Sequence, residues 1–254
     1  MSDFQVPVVP AVPADPGLTQ MERVLNVYTA PSKTFNDVKR FATWWFPFLI
    51  TVLAGGILFT AITTKVTWAQ IYENNQQNAP QWAKDMQDKQ PPEQRAQAER
   101  IGPLWQEITW ALSPLGLLLI DLAAAGVLLA TINFGFGGKA RFGAVLAVTL
   151  YANLVSWVPK LLLGSIAIFA GMPSESLKLP NVAGTNLGFY LNPQDTSKVL
   201  YTLATALDPL SIWGLAVTSI GVAIVAGTKR SSGFAAVFGW WGLFTLIFLG
   251  LAAI

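Results

Sequence analysis

The sequence contains no cysteine and no histidine, and only 12% of its 254 residues are charged. The first absence removes disulfides, iron–sulfur clusters, thiolate zinc sites and cysteine nucleophiles. The second removes the usual zinc and haem ligand, the usual general base at neutral pH and any serine–histidine triad. The shortage of charge is the stronger constraint. Soluble chains carry roughly 25% charged residues, and a soluble globule of this size has to cover its surface with polar groups. Sixteen basic against fourteen acidic residues give a net charge of +2, which makes neither a nucleic-acid-binding field nor one for acidic substrates. What the chain has in quantity is apolar: 53% hydrophobic residues and a mean hydropathy of +0.47. It reads as an integral membrane protein.

Five apolar segments carry that reading, over residues 41–64, 108–134, 142–171, 209–227 and 233–254. Each is long enough to cross a hydrocarbon core of ~30 Å at ~1.5 Å per residue. In lipid every backbone polar group must be paired within the segment, so these are helices. The fold class expected is all-α, a polytopic bundle of about five transmembrane helices. Basic clusters precede the first, third and fifth spans: Lys39-Arg40, Lys139 with Arg141, and Lys229-Arg230. They fall on one side if the spans alternate. The loops on the other side are balanced, with five basic and six acidic residues over 65–107 and two of each over 172–207. The positive-inside rule then places the N-terminus in the cytoplasm and the C-terminus outside.

Residues 1–18 form an expected disordered tail, with prolines at 7, 10, 13 and 16 and no signal-peptide layout. Cytoplasmic interfacial helices are expected over 19–40, ahead of a membrane domain over 41–254. Thr19 and Glu22 have capping-box spacing, and Leu18, Met21, Leu25 and Tyr28 fall on one helical stripe. That stripe either lies in the membrane interface or docks a partner. On this reading residues 1–30 are separable from the bundle. The outer loop 65–107 is expected to extend the first span, turn at Pro91-Pro92 and return as a short helix. Its few apolar residues (Ile71, Trp82, Met86, Ile101) cannot build an independent core. In the second outer loop, Asp195 is placed to cap a short amphipathic helix ending at Leu207.

Polar residues inside the spans are costly, roughly 2.5–3.5 kcal/mol for a charge at the centre, and are functional candidates by default. Asp121 lies near the middle of the second span. Asn153, Trp157 and Lys160 share a face of the third, with Lys160 just after Pro159. An Asp121–Lys160 pair would remove two bare charges together. The other readings are Lys160 reaching the interface at the proline break, and a polar conduit for an ion, proton or small solute. Asp208 before Pro209 has the N-cap-then-N1 pattern of a helix start, although Asp208, Ser211 and Ser219 share one stripe. Gly135 to Ala140 reads G-x-G-x-x-A, but no strand precedes it and Ala140 follows Lys139 where a P-loop needs Ser or Thr. It is a tight cytoplasmic turn.

Taken together, the pattern resembles the Yip family, the Rab-interacting-protein domain, in its bacterial branch. The likeness starts at about residue 20 and includes Pro31, Phe35, Trp44-Trp45-x-Pro47, Gly135-Phe136-Gly137-Gly138 and Tyr151-Ala152. Its most specific part is the outer-loop motif of Gly184, Thr185, Asn186, Tyr190, Asp195 and Tyr201, continuing to Asp208 and Trp213. The resemblance implies five spans with a cytoplasmic N-terminus, as the charges do. Eukaryotic relatives are associated with Rab GTPases and vesicle traffic. Their aspartate-leucine-tyrosine-glycine-proline motif is missing here, and no Rab GTPase is expected as a partner in a bacterium.

The functional expectation is a non-enzymatic protein of the cell inner (plasma) membrane, acting as a scaffold or interaction partner. The alternative is a transporter or channel for a small solute, ion or lipid, using Asp121 and Lys160. No cofactor and no nucleic acid is expected. The partners expected are the bilayer itself, other membrane proteins or a second copy.

Overall fold

The computed structural model describes residues 17–77, 79, 81–173, 176–177 and 182–253. Of the expected tail over 1–18, residues 1–16 lie outside them, as does Ile254, whereas the Leu18 N–H is bonded to Asp37; nothing is said of the Trp82 side chain. The described residues are all-helical, with no strand. Helices α1 (Gln20–Thr29) and α2 (Pro31–Arg40) form a hairpin ahead of the first apolar helix, α3 (Trp45–Lys65). Three helices follow in the first long loop: α4 (Trp68–Gln77), α5 (Gln81–Asp88) and α6 (Pro92–Ala111). Then come α7 (Ser113–Ala130), prolonged by a π-helical turn over Thr131–Gly135, and α8 (Phe142–Phe169). The chain closes with α9 (Lys198–Ala206), α10 (Pro209–Ala226) and α11 (Arg230–Ala253). Five helices are long and apolar enough to cross a membrane: α3, α7 with its extension, α8, α10 and α11.

Local chemistry explains most of the boundaries. Thr19 and Glu22 cap α1 reciprocally, satisfying two backbone N–H groups that a helix start leaves bare. Proline stands in the first turn of α2, α6, α7 and α10, where its missing N–H costs nothing. Gly227 ends α10 in the left-handed region (φ 69°), with the Thr228 N–H returning to Ala223 O and the Gly227 N–H to Ile224 O. This paired pattern closes the exposed carbonyls of a helix end. The Gly135–Ala140 segment is a tight turn. Gly137 takes φ 69°, the Gly138 amide bonds Ile132 O, and Asn133 bonds both N and O of Ala140.

Helix α8 is the axis of the bundle. An unbroken run from Ala144 to Ala152 is buried, so lipid reaches none of it. It packs on α3, α7 and α10, and on the α1–α2 hairpin. Lipid tails are as apolar as leucine, so spans hold together by close packing rather than by water exclusion. Glycines make that possible. A Cβ on Gly221 would sit 2.5 Å from Val148 and 3.0 Å from Phe35, and one on Gly214 would sit 2.8 Å from Ser156. Helix α11 packs on α10 and α9.

The three basic clusters gather at one end, termed proximal here. Arg141 donates to the carbonyl of Lys39 at 3.1 Å, and Arg230 to Ser32 Oγ at 3.1 Å. The long loops occupy the opposite, distal end.

Several boundaries differ from expectation. The first span starts at Trp45 rather than at Phe41. Residues 108–111 belong to α6, because the chain is reset at Leu112 before Pro114. The third segment is one continuous helix, Pro159 included. Helix α3 does not run on into the long loop. It stops at Lys65, and Thr67 with Gln70 caps α4 through two reciprocal bonds. The loop builds no core of its own, as expected, but it is not bare either. Trp68 and Ile71 are buried with Leu58, Ile62, Ile168 and Leu177, so the ends of α3 and α8 supply what the loop could not build alone.

Candidate functional site

The distal end holds a buried cluster centred on Asp208. Its side chain caps α10 by accepting the Ser211 N–H at 2.9 Å. Its Oδ2 also accepts the Thr185 hydroxyl at 2.6 Å and pairs with Lys160 Nζ at 3.0 Å. Lys160 donates further to Ser211 Oγ at 2.7 Å and lies 5.5 Å from the Trp157 ring centroid. Burial alone would raise the Asp208 carboxyl. The Thr185 hydroxyl, the Ser211 amide and Lys160 together outweigh it and hold the group below the ordinary carboxylate range. The cluster ties α8, α10 and the second long loop to one carboxylate.

The loop motif is built around that tie. Gly184 has φ 60°, and a Cβ there would sit 3.2 Å from the Phe189 ring. Asn186 is buried and caps the short 3₁₀ turn Leu187–Tyr190 through the Phe189 N–H. A Cβ on Gly188 would sit 2.9 Å from Thr205 Oγ1, which seats the turn on α9. Asp195 stands elsewhere: it accepts from Asn192 in an exposed turn, and Ser197, not Asp195, caps α9. Trp213 is exposed on α10 and outside the cluster.

Asp121 is buried on α7 and accepts from Asn153 Nδ2 of α8 at 2.8 Å. Among the described residues it pairs with no cation. The expected Asp121–Lys160 bridge is therefore not formed, and the reason is axial distance. Lys160 shares a face with Asn153 but stands seven residues on, about 10 Å along the helix. That brings its ammonium level with the cap of α10, where Asp208 already points.

A third network lies at the proximal end and was not anticipated. Arg23 Nε pairs with Asp37 Oδ2 at 2.6 Å, with the side chains 3% and 6% exposed. Asp37 Oδ1 also accepts the Leu18 N–H at 3.1 Å, and the Arg23 guanidinium donates to Thr43 Oγ1. Thr34 donates to the carbonyl of Arg23 at 2.9 Å. The hairpin is bound to the span by Tyr151, which donates to Gln20 at 2.9 Å, and by Tyr28, which donates to the Leu154 carbonyl. With Val27 fully buried and Gln20, Arg23 and Tyr28 bonded to the rest of the chain, residues 17–30 are not separable from the bundle: removing them would take Val27 from its core and leave Asp37 without its arginine. The inward face of α1 is the one carrying Arg23 and Val27. Of the apolar stripe, Met21 (57%), Leu25 (62%) and Tyr28 (39%) are exposed, and Leu18 is half-buried.

These clusters are suited to holding helices together. Each pairs donors with acceptors inside the protein. Among the described residues no three acidic side chains come together in a set that could hold a metal ion.

Comparison with known proteins agrees with this architecture. No curated protein and no solved structure matches the chain. The family model for the Yip1 domain matches residues 25–252, from α1 almost to the end of α11. With five apolar helices, α8 at their centre, and nearly its whole length matched, this multi-pass membrane protein belongs to the Yip1 domain family.

Proposed function

We propose that the protein is a non-enzymatic scaffold or interaction partner in the organisation of the cell inner membrane, with the α1–α2 hairpin in the cytoplasm. The observation that carries this reading is the hairpin itself. A buried ion pair and two tyrosine bonds fix it to the bundle, yet Met21 and Leu25 point outward. A rigid mount for an exposed apolar stripe suits the docking of a membrane protein or a second copy, because little conformational freedom is lost on binding. The Yip1 family is not known as a family of enzymes, which supports the same reading. The gathering of basic residues at the hairpin's end supports the orientation.

The test is affinity purification in mild detergent. Met21→Gln with Leu25→Gln alters only exposed positions, so the protein should stay folded and lose its co-purifying partners. Retention of every partner by the double variant rules the stripe out.

One observation favours transport as a second reading: Asp121 is buried in a span with a neutral amide as partner. Purified protein in liposomes decides between them. A flux that Asp121→Asn abolishes and the stripe variant leaves intact supports transport and removes the scaffold reading.

A further inference from the structure

Helix α11 is the least covered of the spans. Of its most apolar stretch, 11% is buried within the protein, against 67% for α8. Leu243, Phe244, Leu246 and Ile247 are all exposed, so acyl chains are what this helix meets over most of its length. At the distal end it packs against α9, which exposes Val199, Leu200 and Leu203. A short helix with apolar residues on its outer side, at the end of a span, lies in the membrane interface.

An open groove of about 450 Å³ runs between the two helices. Its size is within the roughly 300–1,000 Å³ of small-molecule sites. Its walls differ in chemistry. Lys198, Tyr201, Thr202 and Thr205 of α9 line one side, and Phe248 and Leu251 of α11 line the other. Lys198 stands in the first turn of α9, where the helix dipole adds to its positive charge. The cation and hydroxyls therefore lie at headgroup level, and the apolar wall continues into the lipid-facing surface of α11. An amphiphile with an anionic head and an acyl tail matches both walls at once.

We infer that this groove binds one phospholipid of the distal leaflet, its phosphate at Lys198 and the hydroxyls of Tyr201 and Thr202, one turn along α9, and one acyl chain along Phe248 and Leu251. The site is remote from the hairpin and does not depend on the scaffold reading. The bound molecule comes from the bilayer that already surrounds the groove, so no entry path through the protein is needed.

The experiment titrates phosphatidylglycerol into the purified full chain in detergent and counts bound lipids by native mass spectrometry. One lipid should bind at concentrations well below those that give further adducts. Lys198→Gln removes the phosphate contact, and Leu251→Trp fills the apolar wall. Each should weaken the first step by about tenfold, the size of one charge-assisted contact. Leu246→Trp, also on the exposed face of α11 but outside the groove, should leave it unchanged. If Leu251→Trp does not yield a monodisperse protein, Lys198→Gln alone decides. A uniform ladder of adducts overturns the proposal. So does equal weakening by Leu246→Trp, or a dimer that Leu251→Trp dissociates in place of a lipid.

Discussion

Replacing Lys160 by methionine distinguishes the carboxylate it serves. The ammonium lies 3.0 Å from Asp208 Oδ2, with side chains 16% and 5% exposed. Breaking a buried pair by removing one partner costs about 3–5 kcal/mol. Lys160 keeps some contact with its surroundings, so the lower end, about 3 kcal/mol, is expected. Asp208→Asn is the matching change, because asparagine is as good an N-cap as aspartate and the Ser211 N–H keeps its acceptor. The two substitutions together should cost less than their sum by about 2 kcal/mol or more. Lys160→Met with Asp121→Asn should add to within about 0.5 kcal/mol. Unfolding in mixed micelles, followed by the fluorescence of the ten tryptophans, gives all the free energies. Additivity at 160 and 208, or a large coupling at 160 and 121, refutes the assignment. The pH dependence gives a second check. The folded Asp208 carboxyl is held below its ordinary range, so its contribution is present above the unfolded value of about 3.9. It is lost as pH falls through the lower folded value. The stability gap between wild type and Asp208→Asn should therefore shrink only below about pH 4.

Two further outcomes follow from exposure and packing. With no native cysteine, Met86→Cys and Tyr190→Cys in the exposed distal loops should react with an impermeant thiol reagent in spheroplasts, and Lys139→Cys only after lysis. Labelling of Lys139→Cys from outside inverts the orientation. A Cβ on Gly233 would collide with the Ser219 carbonyl oxygen and sit 2.9 Å from Ala223 Cβ, so Gly233→Ala should cost about 1–3 kcal/mol. Gly239→Ala, with nothing within 4 Å, should not destabilise; equal losses would mean α10 and α11 do not pack closely.

The spans, the Thr19–Glu22 box, the Asp208 cap and the glycine turn before α8 were legible because each is decided within a few residues. Periodicity, capping chemistry and left-handed backbone need no distant partner. Pairing does. Lys160 and Asn153 share a face, and face alone suggested Asp121; the depth that brings Lys160 to Asp208 depends on how α10 is set against α8. The burial of the hairpin is hidden in the sequence for a related reason. Periodicity picks out the apolar stripe of Met21, Leu25 and Tyr28, and Arg23 gives the opposite face of α1 a polar look. Only Asp37, fourteen residues later and turned back across α2, makes the arginine side the one to bury. The motif around Thr185 stood out in sequence, but nothing local said that its hydroxyl would reach the cap of a helix two elements away.

The seat of Phe35 has a consequence for biogenesis. Its ring is walled by α8 and by Gly221 of α10, nearly two hundred residues downstream on the ribosome. At roughly 5–20 residues per second, the hairpin leaves the exit tunnel about 10–40 s before its berth exists. During that interval Arg23 and Asp37 can already pair, since both are made early, while Val27 and Phe35 are uncovered. The hairpin is thus made well before α10 but completes its docking only once α10 is present. Its contacts with α8 can form earlier, but the wall that Gly221 gives Phe35 waits on the fourth span.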